Sequence, residues 1–357
     1  MKTSHMIRTA VIAISLLLSG NAVAGGIAVD NDNTGKLTIS SKFFLNATQR
    51  KTTDSIDPTQ DTKSSGLAVD RAYLTVQYKA DDVWSMKLTA DAAHNSSKTS
   101  GKKTEVFIKN AFVKGAFAPA ANFTIGVIGT PWIGYENKLD GHRYITKAYT
   151  DTKGFDSSAD AGVGLSGKFA DGMVGYAVAV VNGKGYGDIG ESNAVDYNSR
   201  IGIYPVQGLT LDFQYRGGYK GTKKQPIIAT EAKSTLMQAM ATYSVDKDFR
   251  IGANYIQNKA KLTSTNVETK TSAIAAWGWA KLGNDFGAYG RYENSKVDVS
   301  NVTTNEKENR YVVGLEYFAS KNITMSLAWD QSKVKNEIGT GSTIKDSRYG
   351  LFTQAKF

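Results

Sequence analysis

The chain has no cysteine, five prolines and three histidines among its 357 residues. The absence of cysteine excludes a disulfide-stabilised scaffold and thiol chemistry. Few prolines, together with 35 glycines and 18 tyrosines, favour many extended strands joined by polar turns. Long apolar runs are also missing: beyond residue 25, the longest nearly apolar stretch covers 173–181. That stretch is about half the length of a membrane-spanning helix, which excludes a helical membrane protein.

The N-terminal segment has the pattern of a targeting signal. Lys2 and Arg8 precede an apolar run over 10–18, and a small-x-small cleavage pattern occupies 22–24. We interpret residues 1–24 as a secretory signal peptide; an N-terminal membrane anchor is the alternative. Removing this segment takes away two bases and no acid, so the formal charge falls from +10 to +8. Residues 25–357 are predicted to form one domain.

The C-terminal segment repeats every second residue. Apolar or small side chains alternate with mostly polar ones from Tyr349 to Phe357, and the chain ends on an aromatic residue. A two-residue period means that one face of a strand meets an apolar medium and the other meets water. An edge strand of a soluble sandwich has the same period. Aromatic residues at both ends of the apolar face are typical of the closing strand of an outer-membrane barrel.

The same alternation recurs along the chain about sixteen times. Seven short turns fall near 80–82, 118–121, 170–172, 206–208, 246–248, 283–285 and 319–321. Eight longer polar loops lie between them at 49–66, 95–104, 131–155, 183–195, 220–231, 261–269, 298–308 and 334–345. Alternating connection lengths, with Tyr and Trp near strand ends, are not expected of a sandwich. The sequence predicts an all-β fold: a closed antiparallel transmembrane barrel of about sixteen strands in the bacterial outer membrane.

Residues between the apolar positions are predicted to face the lumen, and bases dominate among them. They are Lys36, Lys42, Arg71, Lys79, Lys87, Lys168, Arg200, Arg216, Arg250, Arg291, Arg310, Arg348 and Lys356. The acids on the same face are fewer: Asp91, Asp212, Glu293, Glu316 and Asp330. Excess positive charge in a narrow passage concentrates anions and repels cations, and arginine suits oxyanions because its fork pairs two oxygens. The alternative is that these bases pair with inner-wall acids.

The loop over 131–155, the third on its side, differs from the others in composition. It contains Trp132, three tyrosines and the bases Lys138, Arg143, Lys147 and Lys153. A loop with this much apolar surface is expected to bury it by folding into the barrel, where it narrows the lumen. Packing on neighbouring external loops is the alternative.

Several short segments resemble one family. Arg71-Ala72-Tyr73-Leu74, the segments 84–88, 110–113 and 123–127, and Arg143-Tyr-Ile-Thr resemble the phosphate-selective porin O/P family over the first third of the mature chain. The resemblance implies a trimeric sixteen-stranded channel with an inward third loop and an anion-binding constriction. That family has paired arginines before Ala-Tyr-Leu, whereas this chain has Asp70-Arg71. Only Arg71 and Tyr73 therefore carry over, and phosphate specificity is left open.

The predicted function is passive diffusion of small hydrophilic solutes with a preference for anions such as chloride or phosphate. The predicted pathway residues are Arg71, Tyr73, Lys87, Lys138, Arg143, Lys147, Arg216, Arg310 and Arg348. The expected partners are outer-membrane lipids, lipopolysaccharide and two further copies in a homotrimer, with no nucleic acid, cofactor or metal. A barrel enzyme acting on lipid or peptide, or an adhesin or structural barrel, is the alternative. His94 and His142 have no nucleophile motif beside them, which disfavours an enzyme.

Overall fold

The computed structural model describes residues 27–31, 35–94, 104–221, 231–245, 248–300, 305–337 and 341–357. The predicted signal peptide lies outside the described residues. The strands are β1 (Ile27–Asn31), β2 (Gly35–Asp54), β3 (Thr62–Lys79), β4 (Trp84–His94), β5 (Thr104–Ala118), β6 (Ala121–Gly129), β7 (Ala159–Phe169), β8 (Val174–Val181), β9 (Asp196–Ile203), β10 (Leu209–Gly218), β11 (Ala232–Val245), β12 (Phe249–Leu262), β13 (Glu268–Leu282), β14 (Phe286–Val299), β15 (Asn305–Ser320), β16 (Ile323–Asn336) and β17 (Thr343–Lys356).

Strands β2 to β17 form a closed antiparallel barrel of sixteen strands within the described residues. Each strand pairs with the next along the chain, and β17 pairs back onto β2, with Leu351 opposite Ala47 and Ala355 opposite Phe43. Closure removes every open sheet edge, which a lipid bilayer requires because it offers no water to unpaired backbone groups. The predicted barrel is therefore confirmed. Strand β1, which pairs with the start of β2, was not predicted.

Exposure alternates along the strands as the two-residue period predicts. Leu315 and Leu327 are 61% and 66% exposed, whereas Val312 and Ser326, on the opposite face of the same two strands, are fully buried. We call the face with the exposed apolar residues the outer face and the opposite one the inner face. Leu74 and Leu351 also lie on the outer face, as predicted. A one-residue slip would move every charge of a strand to the apolar face, so this alternation fixes the register.

Connection lengths differ between the two ends of the barrel. Seven connections at one end have two to five residues, and the eight at the other end have five to 29. Several predicted loops are shorter than expected because their strands continue, for example β2 through residue 54 and β3 from residue 62. Beyond the apolar band both faces of a strand are polar, so the two-residue period disappears from the sequence. The backbone ladder continues there because it needs no apolar face.

The longest connection, 130–158 between β6 and β7, contains two helices, α1 (Ile133–Asp140) and α2 (Tyr149–Thr152). Helix α1 ends at Gly141, whose φ of 86° is left-handed and whose N–H donates to Asn137 O at 3.0 Å. Glycine adopts this conformation without steric cost. A short 3-10 helix covers Pro58–Gln60. No described helix is long and apolar enough to cross a membrane.

The largest buried apolar cluster joins this connection to the inner face. Its members are Phe44, Trp132, Ile133, Tyr144, Ile145, Met240, Trp277, Tyr289, Val312, Ala328 and Phe352. Four of them belong to the connection, and the other seven come from strands around the wall. The apolar residues that set 131–155 apart in the sequence are therefore buried against the inner face.

Candidate functional site

Hydrogen bonds attach the connection 130–158 to seven strands: to β14, where Arg291 and Tyr289 donate to Asp140, and to six others. The bonds to these six are Arg200 Nε to Pro131 O at 3.2 Å, Tyr135 Oη to Asp212 Oδ2 at 3.0 Å, Arg250 Nη1 to Leu139 O at 2.6 Å, Thr150 Oγ1 to Gln238 Oε1 at 2.8 Å, Arg348 Nη2 to Ile145 O at 2.6 Å, and Tyr144 Oη to Glu316. Three arginines of the barrel wall thus donate hydrogen bonds to backbone carbonyl groups of this segment. Without them, these carbonyl groups would be buried with no hydrogen-bond partner. The segment is held at both of its helices and between them.

A buried ionic network centres on Asp140 at the end of α1. Arg291 Nη1 donates to Asp140 Oδ2 at 2.6 Å, and Arg291 Nε donates to Glu293 Oε1 at 2.7 Å. The Arg291 side chain is fully buried, and its two carboxylate partners are at most 5% exposed. His142 stacks on Tyr289 with ring centroids 3.7 Å apart. Without the Arg291 charge, each of these buried carboxylates would keep a single cation, His142 beside Asp140 and Arg310 at 3.7 Å from Glu293.

His142 is held between two carboxylates. Its Nδ1 lies 3.3 Å from Asp140 Oδ1, and its Nε2 lies 3.2 Å from Glu316 Oε1. Burial acts to lower the pKa of His142, but the hydrogen bonds and charges of Asp140 and Glu316 outweigh it and raise the pKa to about 9. Because this value is above the ordinary 6.5, the stabilisation is complete below about pH 6.5 and is lost as the pH rises through about 9. The imidazole therefore serves as an anchoring cation at neutral pH.

A cavity of about 580 Å³ lies between the connection and strands β2 to β4 and β15 to β17. Six bases line it: Arg50, Arg71, Arg143, Lys147, Arg310 and Arg348. Four acids line it as well: Asp70, Glu308, Asp330 and Asp346. The cavity therefore has an excess of positive charge contributed from both the wall and the connection.

The cavity bases differ in how far acids neutralise them. Arg71 pairs with buried Asp91 at 2.9 Å, and Arg310 forms a two-bond fork with Asp330 at 2.8 and 2.7 Å. Arg348 is much less engaged, since its nearest carboxylate oxygens are 3.7 and 3.9 Å away. Lys147 has no ion pair within the described residues. Arg143 is no more engaged than Arg348, since its one carboxylate contact, to Asp151, is 3.7 Å long. Lys147, Arg143 and Arg348 thus supply the least compensated positive charge.

Five of the nine predicted pathway residues line this one cavity: Arg71, Arg143, Lys147, Arg310 and Arg348. Tyr73 lies beside it, edge-on to Phe44 at 5.8 Å. Lys138 is exposed on α1 and is not among the lining residues. Arg216 is 3% exposed and pairs with Asp196, away from the cavity. The count of lumen-facing bases and acids in the sequence overestimated the unpaired positive charge. Acids in connections and at the starts of strands, such as Asp196, neutralise part of that charge.

Lys87, the ninth predicted residue, belongs to a second group of bases. Lys42 on β2 stands directly opposite Lys356 on β17, and Lys87 and Arg143 are close enough to act electrostatically on Lys42. None of the three lysines has an acidic partner within 4 Å in the described part of the chain. Positive charge therefore continues along the inner face beyond the cavity.

Sequence reasoning missed Arg50 and Lys109. Arg50 was assigned to the loop 49–66, yet it continues the inner face of β2 after Asn46 and pairs with Asp346 at 2.8 Å. Lys109 lies 3.5 Å from Asp91 and 5.1 Å from the Tyr73 ring centroid. The two-residue alternation through Phe44, Asn46 and Thr48 could have placed Arg50 on the inner face. A register shift in β4–β5 pairing between Thr89 and Ala90 obscured the corresponding series for Lys109.

Comparison with known proteins relates the chain to solved barrels. No protein-family model and no curated protein matches the sequence. An anion-selective porin from Comamonas acidovorans has a TM-score of 0.63 at 10% identity, covering 90% of this chain and all of that one. The outer membrane channel DcaP of Acinetobacter baumannii has a TM-score of 0.62 at 11% identity, covering 94% and 100%. OmpT of Vibrio cholerae has a TM-score of 0.62 at 11% identity, covering 93% and 100%.

At this level of identity the comparisons establish the fold. The chain is a sixteen-stranded barrel of the outer-membrane type, and the predicted location in the bacterial outer membrane is confirmed. The resemblance to the phosphate-selective porin O/P family stays a prediction because no family model matches.

Proposed function

We propose that this protein is an outer-membrane porin, a passive channel for small hydrophilic solutes that prefers anions. The observation that carries the proposal is the cavity of about 580 Å³, lined by six bases and four acids. The bases come from adjacent strands on one side and from Arg143 and Lys147 on the other. A passage with charge on both sides acts on an ion throughout its cross-section.

The connection 130–158 forms the constriction in this proposal. Its support is the burial of Trp132, Ile133, Tyr144 and Ile145 against inner-face residues and the hydrogen bonds to seven strands. A segment placed inside the barrel reduces the open cross-section from that of a sixteen-stranded lumen to the cavity beside it. The buried network around Asp140 keeps this segment in one position, so the pore has a fixed narrow point.

Anion preference follows from the charges at this point. At physiological ionic strength, salt screens an exposed charge beyond about 8 Å. Bases on opposite sides of a passage narrower than twice that distance therefore affect every ion that crosses it. Lys147, Arg143 and Arg348 are the least compensated of them. Lys42, Lys87 and Lys356 extend the positive surface, so an anion that leaves the cavity meets further bases rather than a barrier.

Chloride-sized anions fit the proposal better than a dedicated phosphate site. Arg71 and Arg310, the arginines on β3 and β15, already have their guanidinium groups engaged by Asp91 and Asp330. Asp70 also lies 3.9 Å from Arg348 and places a negative charge where a phosphate oxygen would bind. We further propose assembly as a homotrimer, in line with OmpT of Vibrio cholerae, which is described in a trimer form, and no enzymatic activity.

If ions cross through the cavity, the conductance should fall when a larger side chain narrows the cavity. Purified protein in planar bilayers should give uniform conductance steps, and Ser332→Trp, which places an indole in the cavity, should lower the step by about half. Ser347→Trp is the matched control, because Ser347 lies on the outer face of the neighbouring strand, opposite Gln331. Absence of conductance steps, or equal effects of the two substitutions, contradicts a pore at this position.

A further inference from the structure

Lysines form a row on the outer face near the end of the barrel that has the long connections. Nine consecutive strands, β11 to β17 followed by β2 and β3, contribute to it. We define the lysine row as Lys233, Lys259, Lys261, Lys270, Lys296, Lys307, Lys333, Lys335, Lys345, Lys51 and Lys63. Each of them is an even number of residues away from exposed apolar residues of its strand and therefore lies on the same face, as Lys333 does with Leu327 and Trp329. In the described residues, strands β4 to β10 have no outer-face lysine.

Within the lysine row, like charges face each other across the strand ladder. Six pairs stand directly opposite: Lys233 and Lys261, Lys259 and Lys270, Lys296 and Lys307, Lys307 and Lys335, Lys333 and Lys345, and Lys51 and Lys63. Like charges at directly opposite positions destabilise a sheet. Their repetition over nine strands calls for negative charge from outside the chain.

The chain itself provides little of that negative charge. Lys296 pairs with Asp298 at 2.8 Å, and Lys307 pairs with Glu337 at 2.8 Å. The other nine lysines of the row have no ion pair within 4 Å in the part of the chain that the structure describes. Asp298 and Glu268 stand directly opposite Lys270 and Lys261 without forming an ion pair with them. Most of the row is therefore exposed and not ion-paired.

The lysine row has a constant position relative to the apolar band. An outer-face aromatic residue precedes or follows the lysine by four residues in Tyr255/Lys259, Tyr292/Lys296, Lys307/Tyr311, Trp329/Lys333 and Lys345/Tyr349. Four residues of strand span about 13 Å, and tilt reduces the height above the aromatic residues to about 10 Å. Aromatic belts mark the boundary of the hydrocarbon, so the lysines lie at the depth of lipid headgroups.

An apolar groove lies on the outer face below Lys296 and Lys307. It has a volume of about 600 Å³, with Ala253, Ala276 and Gly290 on its outer-facing floor and Tyr292 and Tyr311 beside it. A Cβ added at Gly290 meets no atom within 4 Å, so the barrel does not need glycine there for its own packing. The groove leads from the apolar band towards the lysines.

We propose that the lysine row binds the phosphate groups of a phosphorylated lipid in the leaflet at this end of the barrel, with an acyl chain in the groove below. Charge complementarity identifies the phosphates, and the apolar groove selects a lipid over a soluble polyanion. The lysine row faces away from the pore, so this binding is separate from ion conduction. Nine of the sixteen strands would be coated by such lipids, and the other seven would not.

The test uses Lys333, Lys335 and Lys345, all changed to glutamine, in detergent-solubilised full-length protein. Native mass spectrometry would follow titration with bisphosphorylated lipid A and with the same lipid after removal of both phosphates. Each surface lysine contributes about fivefold to the binding of anionic lipid, so the triple variant should bind bisphosphorylated lipid A about a hundredfold more weakly. Wild-type protein should show a comparable loss when the phosphates are removed.

The matched control changes Lys79, Lys281 and Lys321, at the short-turn end, to glutamine. It removes the same charge and should leave lipid binding within about twofold of wild type. Equal binding by both triple variants, or equal binding of the two lipids, overturns the proposal. Displacement of the lipid by equimolar inorganic phosphate would overturn the choice of a lipid as occupant. Conductance of the first triple variant in planar bilayers should be unchanged, which keeps this test independent of the proposed channel function.

Discussion

Replacing Arg143 and Lys147 with glutamate should convert the channel from chloride preference to potassium preference. The change leaves four bases and six acids at the cavity instead of six bases and four acids. One unit charge about 6 Å from an ion in a water-like dielectric changes its energy by about 0.7 kcal/mol. Four units, partly screened, should therefore lower the chloride-to-potassium permeability ratio at least about tenfold, as measured from reversal potentials in a KCl gradient.

Lys333 and Lys345 provide the matched control for this change. Both lie on the outer face of the strands that contribute Asp330 and Arg348 to the cavity, so their replacement by glutamate changes the net charge equally on the opposite side of the wall. The permeability ratio should stay within about twofold of wild type, because salt screens most of the charge on the outer face before it acts on ions in the lumen. A similar shift from both double variants would mean that selectivity depends on overall charge rather than on the cavity.

Replacing Arg291 with methionine should be the most destabilising single change in the connection's attachment. The arginine is fully buried, and its loss removes the shortest ion pair of both Asp140 and Glu293. Asp140 then keeps only His142, and Glu293 keeps only Arg310 at 3.7 Å. Removing one member of a buried ion pair costs about 3–5 kcal/mol. The free energy of unfolding, measured by guanidinium titration in lipid vesicles, should fall by that amount.

Arg50→Met is the comparison for Arg291→Met. Arg50 also pairs with an aspartate at 2.8 Å, but its side chain is 58% exposed, so its loss should cost less than about 1 kcal/mol. Adding Asp140→Asn and Glu293→Gln to Arg291→Met should recover most of the lost stability, because no charge is then left unpaired. Equal costs for Arg291→Met and Arg50→Met would show that the buried network does not hold the connection.

The barrel itself was predictable because its cause is periodic. Lipid on one side and a polar interior on the other impose the two-residue alternation that Leu315 and Val312 or Leu327 and Ser326 follow in the structure. Strand ends were less predictable. Once a strand leaves the hydrocarbon, as β2 does before Arg50, no apolar face marks its continuation.

The site was predictable in composition and only partly in pairing. Arg143 and Lys147 were recognised because an apolar loop with bases has no stable place in solvent. Asp140, which pairs with Arg291, was not recognised because it is distant in sequence and belongs to the connection rather than to a neighbouring strand. Asp196, which pairs with Arg216 across the adjacent strands β9 and β10, was not recognised because it directly follows the predicted loop 183–195. Pairing between such residues depends on tertiary geometry that no local pattern encodes.

The most direct measurement of the central claim is the reversal potential of the wild-type channel in a KCl gradient across a planar bilayer. The excess of bases at the cavity, continued by Lys42, Lys87 and Lys356, predicts a sign that marks chloride as the more permeant ion. A reversal potential of the opposite sign, with potassium more permeant, would contradict the proposal that these bases control the pore.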